Sequence, residues 1–399
     1  MQDHANETLI EACKGRIKAL ALTGIRSEYD LFYPLLKILQ ADKAFELGVV
    51  VCGAHLTSLH DYSVRQIEKD GFRIAEKLET LLYSSSALGK TKSAGILLMG
   101  LAQVLEREKP DLLLVIGDRE EAIIGALAGG YMCVPVVHLA GGDHTHPEGG
   151  DVDEEVRHAT TKLSHIHLTM AEEHSQRIQR LGEEKWRIFT VGSGGIDRLR
   201  ADEGMSRTEL SEILGPTILK DYMVLIYHPL SSEIGQAGKQ MKTILDACIN
   251  SGMDVFIGAP NSDPGFQDIE RVINEYSVQP AVHLYRNLPR RTFASLLKHA
   301  ACLLGNSSLA LHEASFLGLP SINIGQRQRQ RLAGDNVQFI EVDPDQILLA
   351  IKEAINPKYR ENLSKGCSPY GDGHMAERTV QILKTLPSRE KLLAKMITY

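Results

Sequence analysis

The 399 residues are 43 % hydrophobic and 24 % charged, with a formal net charge of -7. That length exceeds one ordinary core and predicts two domains of about 150–200 residues each. The acidic balance excludes the broad basic face that nucleic acid requires. Nor does any run approach the roughly 18–20 apolar residues of a membrane span.

The polar start, Met1 to Lys14, has no signal-peptide core. Six cysteines, Cys13, Cys52, Cys133, Cys248, Cys302 and Cys367, are scattered singly, which predicts buried free thiols in a reducing compartment. A cytoplasmic protein with no nucleic-acid or membrane partner is expected.

Taken in chain order, Ile17–Leu22, Glu46–Val51, Leu112–Ile116, Val134–Leu139, His165–Thr169 and Ile188–Val191 are short, continuous and rich in branched side chains. Gly, Pro or Asp bound them, as in strands covered on both faces. Between them, Leu31–Gln40, Asp61–Glu68, Ser93–Lys109, Glu120–Tyr131 and Ala171–Leu181 have helical periodicity. The alternation predicts an α/β fold with a parallel, doubly wound sheet.

The rhythm breaks over Ile196–Lys220, which ends its helix-forming stretch at Gly215-Pro216, and then restarts. Met223–Tyr227, Val255–Gly258, Ala281–Leu284, Cys302–Gly305 and Ser321–Ile324 form a second series of strands, with helices at Ala237–Asn250 and Arg291–His299. Two domains are expected, 1–195 and 196–369, with a final helix in 370–399 packing back on the first.

Ligands of doubly wound sheets bind beyond the carboxyl ends of the strands, so the residues following each strand are the ones to inspect. Thr23-Gly24-Ile25-Arg26 is not a dinucleotide fingerprint. A Gly turn with Arg at a helix start reads either as an anion site or as a solvent-facing cap. Asp118 in Gly117-Asp118-Arg119 reads either as an acid–base group or as the cap of the helix at Glu120.

The Gly-rich stretch from His138 through Gly141-Gly142-Asp143 to Asp153-Glu154 gathers His, Asp and Glu. Its His138, His144 and His146 do not have the spacing of a zinc site, and no metal or other cofactor is expected. Asp153 and Glu154 also suit the positive end of a helix. His228 in Tyr227-His228-Pro229 follows a strand. Gly305-Asn306-Ser307-Ser308 ends one and opens a predicted helix over Leu309–Leu317, where hydroxyls and free amides form a diphosphate cradle. Glu313, on that same predicted helix, can accept from two ribose hydroxyls.

These segments together resemble the UDP-N-acetylglucosamine 2-epimerases. The resemblance runs through Thr23–Arg26, the GDR at 117–119, HLAGGD at 138–143, RHATTKLSH at 157–165, YHP at 227–229 and GNSSLALHEA at 305–314, then GQRQ at 325–328, GDNV at 334–337 and PYGDG at 369–373. Their order covers the whole chain. Within the family the hydrolysing branch of the sialic-acid and legionaminic-acid pathways is the more similar.

The resemblance implies a GT-B-like fold of two Rossmann-like domains with the active site between them, and a homodimer or homotetramer. It implies Ser307 and Ser308 on the diphosphate, with Arg26 and Arg331; Glu313 on the ribose; Asp118 and Glu154 as catalytic carboxylates; His228 as the cleft histidine; and Arg119 and His138 at the sugar. Asn306, Arg327 and Gln328 join the substrate-binding set. Ala140 stands where members often carry Glu or His, with Asp143 as a possible substitute, and Leu31 stands where some place lysine.

The implied reaction converts UDP-N-acetylglucosamine and water to N-acetylmannosamine and UDP through a glycal. Three other readings fit the same residues: a UDP- or GDP-linked 2,4-diacetamido-trideoxy sugar as substrate, a GT-B glycosyltransferase, and a nucleotide-sugar sensor without turnover.

Overall fold

In the computed structural model the short apolar runs become parallel strands, because residues buried on both faces leave no solvent side to a sheet. The structure describes residues 7–58, 62–84, 86–144, 152–233, 235–260, 265–286, 288–363 and 368–398. The chain divides into two compact units: one from the N-terminal residues to Asp143, Val152–Arg198 and Gly373 onward, the other Leu199–Asp372. No helix among the described residues is long and apolar enough to cross a membrane.

Among the described residues the first unit holds seven strands: β1 (Ile17–Thr23), β2 (Phe45–Cys52), β3 (Ile74–Leu78), β4 (Leu112–Ile116), β5 (Val136–Leu139), β6 (Ile166–Thr169) and β7 (Ile188–Thr190). Their order is β3-β2-β1-β4-β5-β6-β7, and every pairing is parallel. Alternate residues feed opposite faces. Leu112, Leu114 and Ile116 enter the core layer that also holds Phe32 and Leu36 of helix Arg26–Ala41. Leu113 and Val115 enter the other, with Leu97 and Leu101 of helix Ala87–Glu108.

The C-terminal stretch belongs to this unit through polar anchors. Asp197 Oδ1 and Oδ2 accept from the amides of Met375 and Ala376 at 2.8 and 2.7 Å, which satisfies the free N–H groups of helix Met375–Lys384. Arg187, fully buried, donates to the carbonyls of Leu392 and Ala394 at 2.8 and 2.9 Å. Lys395 Nζ donates to Ser164 O at 2.6 Å and meets Glu183 at 2.7 Å.

The second unit repeats the plan with β8 (Tyr222–Ile226), β9 (Asp254–Gly258), β10 (Val282–Tyr285), β11 (Cys302–Gly305), β12 (Ser321–Ile324) and β13 (Val337–Ile340), ordered β10-β9-β8-β11-β12-β13 and again all parallel. Met223, Leu225 and Tyr227 face one core layer, and Tyr222, Val224 and Ile226 the other.

Three features depart from the sequence expectation. Strands β3 and β13 were not foreseen; both lie at sheet edges and are mostly half-buried, so they lack the continuous apolar run that marks a central strand. The helix foreseen at Leu309–Leu317 is broken into a 3₁₀ turn, Ser308–Ala310, and a short helix, Glu313–Leu317. His312, at φ -88 and ψ -82, stands at the break, so Ser308 and Glu313 do not share a helix. Among the described cysteines, all free, Cys52, Cys248 and Cys302 are buried, but Cys133 is exposed; Cys367 lies outside the described residues.

Candidate active site

In each unit the strand order reverses once, between β1 and β4 and between β8 and β11. Adjacent loops leave in opposite directions there and open a crevice beyond the strand ends. The candidate residues gather at those points.

In the first unit the loops after β1 and β4 meet through buried carboxylates. Glu28 Oε2 accepts from Gly24 N at 2.8 Å. Glu121 presses on Gly24 so closely that a Cβ there would sit 1.9 Å from its Oε1, which only glycine avoids. Burial first, and then the Glu121 charge, push the Glu28 carboxyl well up; burial likewise raises Glu121, against the pull of Arg119. Arg119 Nε lies 3.5 Å from Glu121 Oε2. Arg26 opens helix Arg26–Ala41 and approaches Asp30 at 3.9 Å.

Beyond this pair lies a cluster centred on Arg157. Its side chain is only 3 % exposed and donates from Nη2 to Asp118 and from Nη1 to Glu154. The same Nη1 reaches the Asp143 carbonyl at 3.4 Å. Burial opposes the guanidinium charge, but the carboxylates of Asp118, Asp143 and Glu154 outweigh it and raise its pKa above the ordinary arginine value. Glu154 also meets His158 Nε2 at 3.1 Å, and Asp143 meets the buried His174 at 3.4 Å.

His138 is fully buried, and its Nε2 donates to Gly117 O at 2.8 Å, supporting the turn that carries Asp118. Burial lowers its pKa to about 4, so the ring is neutral. Among the described residues no three His, Cys, Asp or Glu side chains converge as metal ligands; His146 lies outside the described residues.

In the second unit, Gly305 at φ 123 lets β11 run against β8; a Cβ there would fall 1.9 Å from Ile226 O. Asn306 then locks the two strand ends, its Oδ1 accepting from His228 N at 2.8 Å and its Nδ2 donating to His228 O at 2.7 Å. Gln328 Nε2 donates to Asn306 O at 3.0 Å, with Arg327 on the same carbonyl at 3.5 Å. Arg331 donates to Gln328 Oε1 at 2.6 Å and lies 3.4 Å from His312 Nε2. Burial and the Arg327 charge push His228 down to about 3, so it offers a neutral imidazole. Ser307 Oγ accepts from Leu309 N at 3.3 Å. Glu313 pairs with Arg290 at 3.6 Å.

The structure thus brings Asp118, Glu154 and Asp143 together in the first unit and Asn306, His228, Arg327, Gln328 and Arg331 together in the second. Sequence reasoning missed Arg157, Glu28, Glu121 and Arg290. The i,i+3 spacing of Glu154 and Arg157 on one helix was the available signal for the first.

A sequence model described as UDP-N-acetylglucosamine 2-epimerase matches residues 37–384. A protein of Legionella pneumophila subsp. pneumophila named UDP-N,N'-diacetylbacillosamine 2-epimerase (hydrolyzing) is 36 % identical over 96 % of this chain and 99 % of its own. A Campylobacter jejuni protein named GDP/UDP-N,N'-diacetylbacillosamine 2-epimerase (hydrolyzing) is 30 % identical over 86 % of this chain and 89 % of its own. Among solved structures, the Neisseria meningitidis UDP-GlcNAc 2-epimerase bound to UDP-GlcNAc superimposes with a TM-score of 0.80 at 21 % identity, covering 92 % of this chain and 99 % of that one, a likeness of fold.

Proposed function

Since the chain belongs to the UDP-N-acetylglucosamine 2-epimerase family, we propose that it is a hydrolysing nucleotide-sugar 2-epimerase that releases UDP and returns the sugar inverted at C2. The observation that carries this reading is Arg157, buried and holding two carboxylates, Asp118 and Glu154, in one place. A transferase has no need of such a pair, whereas removing a proton from C2 and returning one needs two proton carriers.

The first substrate to try is UDP-2,4-diacetamido-2,4,6-trideoxyglucose, because both relatives described above are named for diacetylbacillosamine. UDP-N-acetylglucosamine, with N-acetylmannosamine as product, is the second.

In this reading the C2 proton is weakly acidic, so cleavage of the C1–O bond runs ahead and positive charge builds at C1. The electron pair of that bond leaves with UDP, and the C2–H pair becomes the double bond of a 2-acetamidoglycal. Water then gives its oxygen to C1, and a proton enters C2 on the opposite face. Asp118 and Glu154 carry the proton transfers and stabilise the charge at C1. Asp143 orients Arg157 through its carbonyl. Asn306, Ser307, Ser308, Arg327, Gln328 and Arg331, with Arg26, bind the diphosphate, and Glu313 the ribose. His228, neutral, serves as a hydrogen-bond partner and not as a countercharge.

Incubation with each UDP-sugar in deuterated water, followed by proton NMR, tests the reading. Free 2-epimerised sugar with deuterium at C2 and stoichiometric UDP is the expected result. Release of sugar with its original C2 configuration and proton, or no release at all, would overturn it.

A further inference from the structure

Four strand ends of the first unit converge on a crevice that the assignments above leave unused. Ile116 lines it at the end of β4, Ala140 just after β5 and Met170 just after β6, together with Leu31, Met375 and, in the loop after β7, Ser193. Its volume is about 10 Å³, room for one group the size of a methyl or a water. Apart from Ser193 every side chain on its wall is apolar.

Ser193 is 2 % exposed, yet its Oγ has no hydrogen-bond partner. A buried hydroxyl is normally paired, so this one marks a place for a polar atom. The crevice therefore asks for two things at once: a methyl-sized apolar tip, and a hydrogen-bonding atom directly beside it. An acetamido group has that composition. The location also fits, because Ile116 is two residues before Asp118, the group assigned to chemistry at C2.

We propose that this crevice is the acyl subsite of the enzyme, taking the methyl of the C2 acetamido group while Ser193 donates to the acetyl carbonyl. The inference rests on the hydrolysing-epimerase reading and on Asp118 acting at C2. It makes the length of the C2 acyl chain a criterion of substrate choice, set by Leu31, Ala140 and Met170. Holding the acetyl group fixes the ring position that carries the C2 proton.

The test uses UDP-2,4-diacetamido-2,4,6-trideoxyglucose and its N2-propionyl and N4-propionyl homologues with the whole chain. One extra methylene against a closed apolar wall changes kcat/KM by about 10–200-fold. The wild type should lose at least about tenfold on N2-propionyl and little on N4-propionyl. Leu31→Ala and, independently, Met170→Ala should return most of that loss when each variant is scored as the ratio of the two acyl homologues, a ratio insensitive to reduced folding. Ser193→Ala should lower both N2-acyl substrates by roughly three- to tenfold, the worth of one hydrogen bond.

Equal turnover of the N2 homologues by the wild type, a penalty on N4 instead, or an N2 penalty that neither enlargement relieves would each overturn the inference while leaving the epimerase reading intact. Failure of the wild type to turn over any of these sugars or UDP-N-acetylglucosamine would sink that reading, and the inference with it.

Discussion

Asn306 grips the backbone of His228 at both ends, accepting from its amide at 2.8 Å and donating to its carbonyl at 2.7 Å. The two residues are 78 positions apart in sequence and follow β11 and β8, the strands flanking the reversal of order in the second unit. A side-chain amide, one acceptor beside one donor, is the shortest group that can satisfy both. Asn306→Asp keeps the acceptor but sets a second acceptor against the His228 carbonyl. We expect it to lower stability by about 1–3 kcal/mol, the range for a buried polar group left unsatisfied. UDP affinity should fall by roughly tenfold, about 1.4 kcal/mol. Chemical denaturation and UDP titration measure the two separately, and unchanged UDP affinity would detach Asn306 from the diphosphate site.

Asp118→Asn should abolish turnover and leave UDP binding nearly intact, since Asp118 belongs to the first unit and the residues proposed for the diphosphate, Arg26 apart, to the second. Arg157→Gln should also stop turnover, and in addition lower stability by roughly 3 kcal/mol. That is the low end for breaking a buried ion pair, appropriate because its partners are 32 % and 23 % exposed. Isothermal titration with UDP, single-turnover assays and denaturation distinguish the two variants. Normal turnover by Asp118→Asn would remove Asp118 from the chemistry.

Glu28 is held in a place that favours its neutral form, through burial and the nearby Glu121 charge. A carboxyl raised in the fold gives stability that is fully present below the unfolded value, near 4.5, and is lost as pH rises through the folded value. Glu28→Gln keeps an acceptor for the Gly24 amide and cannot ionise. The variant should match the wild type near pH 4.5 and become relatively more stable toward pH 8. Thermal melts across that range check it, and a variant that loses ground as pH rises would show that the ionised form is the one the fold uses.

Acid should weaken the first unit from the other direction. Burial lowers His138 to about 4, and burial with the Lys395 and Arg187 charges lowers His165 to about 4. The unfolded chain then binds protons that the fold refuses, so stability falls as pH drops from about 6.5 to about 4, by up to about 3 kcal/mol for each ring. His165 Nδ1 accepts from Val136 N at 3.0 Å, and Asn at that position retains an acceptor. His165→Asn should flatten part of the slope in melts recorded between pH 7 and 4. An unchanged slope would assign the acid sensitivity elsewhere.

The periodicity of the chain was enough to locate most central strands, because a strand buried on both faces must be apolar throughout, and that is written in consecutive residues. It was also enough to place Asp118, His228 and Asn306 immediately after strands, where ligands meet such sheets. The edge strands β3 and β13 escaped, since half their surroundings are solvent and their composition is mixed. The break at His312 escaped as well: local propensity continues a helix there, whereas the tilted packing of His312 on Tyr370, with ring centroids 4.1 Å apart, is a contact across 58 positions that no window of sequence contains.

The same distinction separates the site's membership from its organisation. Candidates such as Asp118, His228 and Asn306 could be named from their types and their places after strands. That Arg157 gathers Asp118 from 39 positions away, that Glu121 rests on Gly24, and that His138 supports the Gly117 turn from within were decided by tertiary structure alone. A charge or proton-bearing group acts through what lies within a few ångströms of it, and those neighbours are set by how the strands are ordered, not by their order along the chain.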